Sequence, residues 1–128
     1  FPAYERNNPF MAYNHIEICS ASAESSVVKV ALVPESKNLH GAVHGGLLYA
    51  MADCVAGVTA RASGDDYVTQ SAHINFLRNV KEGTIYAQAD TIKRGRRVIV
   101  LHITVYDGEH RLLADGSIDM LRRDGVKG

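Results

Sequence analysis

The residues best suited to chemistry lie in one glycine-rich stretch and in the helical pattern that follows it. Gly45 and Gly46 carry no Cβ, so the backbone there can approach another group closely. Amides at the start of a helix lack intrahelical acceptors and favour an oxygen with negative or partly negative charge. Asp53 is a single carboxylate within the helical pattern, with no basic residue before Arg61. An oxygen-binding amide together with an isolated acid indicates acyl chemistry.

The helical pattern places Asp53 opposite an apolar stripe. At about 100° per residue, six residues share one side and are predicted to face a core: Leu47, Leu48, Met51, Cys54, Val55 and Val58. Asp53 falls on the other side, in a predicted setting of small residues: Ala50, Ala56, Gly57 and Ala60. Small neighbours leave room for a substrate near the carboxylate, although a solvated surface acid is the alternative interpretation.

The spacing between the amide and the acid predicts a shared site. Gly45 and Asp53 are eight residues apart, roughly 12 Å along a helix at about 1.5 Å per residue. Both cannot lie about 3 Å from one carbonyl. If both act on one substrate, they come from different chains, and the site lies between subunits related by a twofold axis.

Length and composition restrict the class of protein. The 128 residues fit a single domain, predicted over residues 1–128. Fourteen basic residues balance fourteen acidic ones, so neither nucleic acid nor an anionic membrane is an expected partner. No apolar run approaches the roughly 20 residues of a membrane span, and no secretory signal pattern begins the chain. Cys19 and Cys54 are too few for a disulfide framework, so we predict a cytoplasmic protein.

Seven further elements are predicted around the helix, which itself covers residues 44–62. A short helix is predicted near residues 9–13, and strands at 16–23 and 27–33 with Ser25 and Ser26 in the turn between them. Four more strands are predicted at 68–78, 84–93, 98–106 and 112–121. Alternation in the first of these four places a polar row on one face: Thr69, Ser71, His73 and Asn75, opposite Val68, Ala72, Ile74 and Phe76. The expected fold class is α+β, with the helix lying across an antiparallel sheet.

A family resemblance rests on three motifs. The run Asn38…Gly41…His44-Gly45-Gly46…Asp53, followed by Phe76-Leu77-Arg78 and by Lys93-Arg94-Gly95, resembles hotdog-fold acyl-CoA thioesterases of the phenylacetate-degradation type. The resemblance implies an antiparallel sheet wrapped around one long central helix. It also implies homodimers that join their sheets edge to edge, usually as a pair of dimers, with active sites at the dimer interface.

The resemblance also implies roles for individual residues. Asp53 matches the catalytic acid, acting as nucleophile or general base, and the Gly45 amide matches the group that polarises the carbonyl. His44 is predicted to shape the loop, with a direct catalytic role as the alternative. Asn38 matches a position that orients water or carbonyl, or else it is a turn residue. Thr69 matches a hydroxyl that helps to hold the attacking water, or else it belongs to a solvated face.

Basic side chains are expected to hold the phosphates of coenzyme A. The predicted ligands are Gly46 beside the helix start and the side chains of Arg78, Arg94, Arg96 and Arg97. For each of these arginines an ordinary solvated hairpin is the alternative. The family usually has Pro after Phe-Leu-Arg, whereas Asn79 stands here. No metal-ligand spacing is present, and we expect no cofactor beyond the CoA of the substrate.

Two other functions compete with hydrolysis of an acyl-CoA to free acid and CoA. One is enoyl-thioester hydration or dehydration on the same fold, which usually needs a catalytic His paired with an acid. The other is a non-catalytic acyl-CoA-binding module, in which Asp53 has no purpose. The sequence does not identify the acyl group, and Tyr49, Met51 and Phe76 are candidates to line its pocket.

Overall fold

One long helix packs against a six-stranded antiparallel sheet in the computed structural model, which describes residues 8–123. The helices are α1 (Pro9–Tyr13) and α2 (Gly45–Arg61), with a short 3-10 turn at Pro34–Ser36. The strands are β1 (Glu17–Ser20), β2 (Ser25–Ala31), β3 (Tyr67–Phe76), β4 (Thr84–Arg94), β5 (Val98–Asp107) and β6 (Leu112–Arg122). Their order in the sheet is β1-β2-β4-β5-β6-β3, so β1 and β3 are the edges. This arrangement confirms the predicted α+β class.

Alternating apolar residues bury one face of the sheet against α2. In β5 the buried positions are Ile99, Leu101, Ile103 and Val105, at every second residue as the strand period requires. From the helix, Leu48, Met51, Ala52 and Val55 are at most 3% exposed and meet this face. Within the described range, no helix is long and apolar enough to cross a membrane.

The turn predicted at Ser25 and Ser26 is wrong, because both residues belong to β2. Ser25 Oγ donates to Asp90 Oδ1 at 2.8 Å on the neighbouring strand, and Ser26 is fully buried. The turn lies earlier, where the Ser22 hydroxyl oxygen accepts from the amides of Glu24 and Ser25 at 3.3 and 3.0 Å. Serine in a turn and serine in a strand have the same sequence signature, and only the cross-strand partner distinguishes them.

The small-residue face predicted around Asp53 is also wrong for the second half of α2. Ala56, Gly57 and Ala60 are buried. A Cβ placed on Gly57 would lie 2.6 Å from Nη1 of Arg61, whose guanidinium therefore covers this glycine. Beside Asp53, only Ala50 among the predicted small neighbours stays partly exposed. The open side of α2 is confined to its first half.

A bulge in β3 corrects the predicted polar row. Thr69 pairs with Met120 and Ser71 with Asp119, so Gln70 is an extra residue that has no opposite partner. The bulge turns Thr69 toward α2, while Ser71 bonds Asp119 on the other face of the sheet. Thr69 and Ser71 therefore do not share a face. Alternation alone could not predict this, because one inserted residue exchanges the two faces of a strand.

Candidate active site

The first turn of α2 leaves one backbone amide without an acceptor. His44 caps the helix, since its Nδ1 accepts from the Gly46 amide at 2.8 Å. The His44 carbonyl accepts from the amides of Leu47 and Leu48 at 2.9 and 3.4 Å. Between residues 8 and 123, no acceptor contacts the Gly45 amide. This donor lies at the positive end of a 17-residue helix, where it can bind an oxygen that gains negative charge.

The capping contact also assigns a proton position on His44. Because Nδ1 accepts a hydrogen bond, the neutral imidazole carries its proton on Nε2. A Cβ on Gly46 would lie 2.9 Å from His44 Nδ1, so the glycine is what allows the ring to fold over the helix start. His44 thus orders the turn that presents the Gly45 amide.

Asp53 and Thr69 form the second part of the site. The Thr69 hydroxyl donates to Asp53 Oδ1 at 2.5 Å, and it also lies 3.5 Å from the Met120 sulfur. Asp53 is partly exposed and Thr69 is exposed, so substrate can reach the pair. A carboxylate with one oxygen held by a hydroxyl keeps the other oxygen for attack on a carbonyl carbon or on a proton of water.

The Gly45 amide and the Asp53–Thr69 pair lie at different points along α2 and β3, which run antiparallel to each other. A Cβ on Gly45 would lie 3.6 Å from the Phe76 ring at the end of β3, whereas Asp53 contacts Thr69 near its beginning. Arg61 Nη2 donates to the Tyr67 carbonyl, which shows the same direction. Gly45 and Asp53 are therefore about 12 Å apart along the helix, and one chain does not bring them to one carbonyl.

The loop before α2 is ordered by Asn38. Its Oδ1 accepts from the amides of His40 and Ala42 at 2.9 and 3.2 Å. Its own amide donates to the Ala42 carbonyl at 2.7 Å, and Val43 is tied to the Val80 carbonyl. In the described part of the chain, no acceptor contacts the Asn38 side-chain nitrogen, which leaves it available to a ligand.

The basic residues predicted to surround one pocket do not lie together within one chain. Arg78 follows the end of β3, where its amide donates to the Leu113 carbonyl. Arg97 lies at the other end of the sheet, where its carbonyl accepts from Arg122, the partner of Tyr67 in the register. The ten residues of β3 separate these ends by about 30 Å at roughly 3.3 Å per residue.

Arg94 has a structural position. Its guanidinium donates to the Thr59 and Ala60 carbonyls at 3.1 and 3.2 Å, at the end of α2. It also reaches the Ala23 carbonyl at 2.9 Å and the Ser63 hydroxyl at 3.4 Å. These four contacts use both terminal nitrogens of the guanidinium, which were expected to hold phosphate. By contrast, no acceptor among residues 8–123 contacts the side chains of Arg78 and Arg96, which are exposed.

Cys54, although next to Asp53, is not a nucleophile. Burial raises the pKa of its thiol to about 12, and the Asp53 charge adds to the rise. The thiol therefore stays protonated near neutral pH. Over the described range, no group of three His, Cys, Asp or Glu side chains is placed to hold a metal ion.

A cavity of about 680 Å³, which was not predicted from the sequence, lies between α1 and the first turns of α2. Phe10 and Tyr13 of α1 lie along it, together with Leu47 and Ala50 of α2. The signal in the sequence was two aromatic residues three positions apart around Met11, which is fully buried. That spacing predicts a helix with one anchored residue but not what the helix packs against.

Comparison with known proteins gives consistent results. A family model described as the thioesterase superfamily matches residues 40–114, more than half of the chain. ComA2 of Bacillus subtilis (strain 168), a candidate esterase by its name, is 35% identical over 103 residues, covering 77% of this chain and 81% of ComA2.

Solved structures show the same fold. A mutant of the phenylacetic acid degradation protein PaaI from Thermus thermophilus has a TM-score of 0.84 and 26% identity, covering 89% of this chain and 98% of that one. The protein smu.793 from Streptococcus mutans UA159, solved with acetyl CoA, has a TM-score of 0.79 and 26% identity, covering 84% and 87%. These similarities confirm the predicted hotdog fold and the predicted family resemblance.

Proposed function

Because this chain belongs to the thioesterase superfamily, we propose that it hydrolyses acyl-CoA thioesters to a free acid and coenzyme A. Family membership supports thioester hydrolysis in general. The solved structure of smu.793 with acetyl CoA supports an acyl-CoA as the substrate. One observation carries the proposal. The free Gly45 amide and the Asp53 carboxylate, which accepts from the Thr69 hydroxyl, lie on one helix but are too far apart to act on the same carbonyl group.

The edge strand β3 supports a site shared by two chains. In the described chain β3 has a neighbour on one side only, β6. Val68 and Phe76 along it are 42% and 54% exposed, and Leu77 directly after it is 55% exposed. A ten-residue edge with exposed apolar side chains is suited to pair with another strand. We propose that the partner is the β3 of a second copy, in antiparallel orientation about a twofold axis.

Such pairing joins the separated parts of the site. Thr69 and Asp53 lie near the start of β3, and Gly45 lies near its end. An antiparallel pair centred on the middle of β3 places the start of one strand beside the end of the other. Asp53 then faces Gly45 of the partner subunit.

The same pairing of two β3 strands places Arg96 and Arg97 on the same side as Arg78 of the partner subunit. The three arginines can then contact the CoA phosphates. Pairing of two such dimers stays a prediction.

The reaction follows from these positions. The Gly45 amide donates to the thioester oxygen and holds the negative charge that grows on it. Asp53 either attacks the carbonyl carbon, giving an anhydride that water hydrolyses, or takes a proton from the attacking water. In both cases a C–O bond forms and the C–S bond breaks, and the CoA thiolate takes up a proton. Thr69 orients the carboxylate, and the side-chain nitrogen of Asn38 binds the water or the carbonyl.

Mixing two inactive variants tests the shared site. Asp53→Asn removes the acid, and Gly45→Val crowds the amide. Unfolded together and refolded, random mixing gives half heterodimers, each with one doubly damaged and one intact site. We expect activity to return to about a quarter of wild type.

Heterodimers confirmed by mass but without activity would overturn the shared site. Absence of activity in the wild type toward a panel of acyl-CoAs, followed as released thiol, would overturn the function itself.

A further inference from the structure

The cavity between α1 and α2 has a mixed apolar and polar lining, and the proposed chemistry does not yet use it. Its volume is about 680 Å³, within the range of pockets that hold small organic ligands. Phe10, Tyr13, Val33, Leu47 and Ala50 supply the apolar part of its wall. Phe10 and Tyr13 are 54% and 85% exposed, which is unusual for aromatic side chains on a helix that packs on the core. A ligand in the cavity gives both rings a partner.

The helix that carries these rings is held in place. Met11 is fully buried, and its carbonyl accepts from the Ile16 amide at 2.9 Å. The Asn8 side chain caps the helix by accepting from the Met11 amide at 3.3 Å, and Pro9 begins it. One anchored residue therefore positions two exposed rings beside the first turns of α2.

The lining suits the phosphate end of CoA poorly, because His15 and His44 are the sole nitrogen bases among its described residues. No Lys or Arg is among the described residues that line the cavity, and Glu35 contributes a carboxylate. Phosphates carry negative charge and need basic partners. An uncharged apolar group meets no such obstacle and gains from leaving water.

The cavity lies beside the start of α2. His44, Gly46 and Leu47 line it, and these residues surround the free Gly45 amide. The acyl end of a thioester whose oxygen binds that amide lies within reach of the cavity. We propose that this cavity takes the acyl group and favours a bulky apolar acyl chain over acetyl, with Phe10 and Tyr13 as specificity-determining residues. The inference rests on the proposed function, since it concerns the acyl side of the same substrate.

The structure favours the cavity beside α1 as the acyl pocket over a pocket lined by the residues expected from the sequence. Met51, a candidate from the sequence, is fully buried in the core and cannot contact substrate. Phe76 covers Gly45 from the β3 side. Tyr49 is 40% exposed on the helix but does not line the cavity, so it remains the rival candidate.

The test compares substrates of different bulk. For Tyr13→Ala and Ala50→Phe, kcat/KM is measured with octanoyl-CoA and acetyl-CoA. The first variant removes a wall and the second fills the cavity. We expect the octanoyl-to-acetyl ratio to fall at least about ten-fold in both. Ile92→Ala is the matched control, an apolar residue 66% exposed outside the cavity, and its ratio should equal that of wild type. Equal melting temperatures show that the variants fold.

A binding measurement separates this inference from the proposed function. Affinities for the thioethers S-octyl-CoA and S-methyl-CoA, measured by calorimetry, need no turnover. We expect the octyl preference of the wild type to fall about ten-fold in Tyr13→Ala and in Ala50→Phe, even if no thioester is hydrolysed. Unchanged ratios in both variants, or a change with Tyr49→Ala instead, would overturn the acyl assignment. A loss for Tyr13→Ala that disappears with octanoyl-pantetheine would place the nucleotide in the cavity and also overturn it.

Discussion

The two ends of α2 present the same physical problem and solve it differently. At each end, backbone groups lack intrahelical partners. At the C-terminal end, Arg94 reaches across from β4 and satisfies the Thr59 and Ala60 carbonyls. At the N-terminal end, His44 satisfies the Gly46 amide, while the amide of Gly45 meets no acceptor in the described residues.

Burial follows the same division. From Val55 to Ala60 every residue of α2 is buried, whereas Gly46, Tyr49, Ala50 and Asp53 keep exposed surface. The C-terminal half of the helix is committed to packing, and the N-terminal half keeps polar groups available for a ligand. Substitutions of the exposed residues of the first half should therefore change turnover and leave the fold intact, and substitutions at the far end should do the reverse.

The largest effect is expected from the acid of the N-terminal half. Asp53→Asn keeps the shape of the side chain and removes its charge, so kcat should fall by about 10²–10⁴-fold. Its melting temperature should stay within a degree or two of wild type, because Asp53 is partly exposed. Thiol release from acyl-CoA measures the first quantity and circular dichroism the second. Turnover near the wild-type rate would exclude Asp53 from the mechanism.

Removing the cap at the C-terminal end should produce the opposite result. Arg94→Ala removes the guanidinium that donates to the Thr59 and Ala60 carbonyls, which keep only the Ala62 amide and the Ser63 hydroxyl as donors. The free energy of unfolding should fall by about 1 kcal/mol. The activity of the molecules that remain folded should change little. Urea titration together with assays at low temperature tests both statements.

Arg96→Ala is the matched control for Arg94, two residues along the same hairpin. Its side chain is exposed, so stability should not change, but KM for acyl-CoA should rise if it contacts phosphate. The rise should be smaller for an acyl-pantetheine. If Arg94→Ala and Arg96→Ala gave the same pattern, the division between the two ends would be wrong.

A smaller loss is expected for the hydroxyl that holds Asp53. Thr69→Val removes the donor at nearly constant shape, and kcat should fall about ten-fold, as for loss of one hydrogen bond to a charged group. Thr69→Ser should retain most of the activity. Ser71→Ala is the control on the same strand, since Ser71 bonds Asp119 on the other face. A Ser71→Ala loss as large as that of Thr69→Val would contradict the bulge at Gln70.

The smallest effect concerns a charged group outside α2. Asp107 accepts from the Arg111 amide and guanidinium and from the Glu109 amide, and these contacts hold the pKa of its carboxyl below the ordinary value. The carboxylate therefore stabilises the fold above about pH 4, and this contribution is lost as the pH falls through the lowered pKa. In Asp107→Asn the melting temperature should fall less between pH 7 and pH 2.5 than it does in the wild type. Melting temperatures from pH 7 to pH 2.5 measure it, and kcat at pH 7 should stay unchanged.

Local patterns were enough to predict much of this molecule. Spacing and glycine placed α2 at residues 44–62, close to the observed Gly45–Arg61, because helix periodicity and capping are properties of neighbouring residues. The eight-residue separation of Gly45 and Asp53 predicted that one chain cannot complete a site, since helix rise is constant. Both inferences needed no knowledge of the fold.

Other features depend on contacts between residues far apart in the sequence. The extra residue at Gln70 exists only relative to β6, and without it Thr69 would face away from Asp53. Arg94 and Arg96 look alike in the sequence, but only Arg94 lies where α2 ends. The cavity beside α1 forms because Met11 anchors that helix near the start of α2. Strand register, helix-end partners and cavities arise from packing between distant segments, and no local pattern contains them.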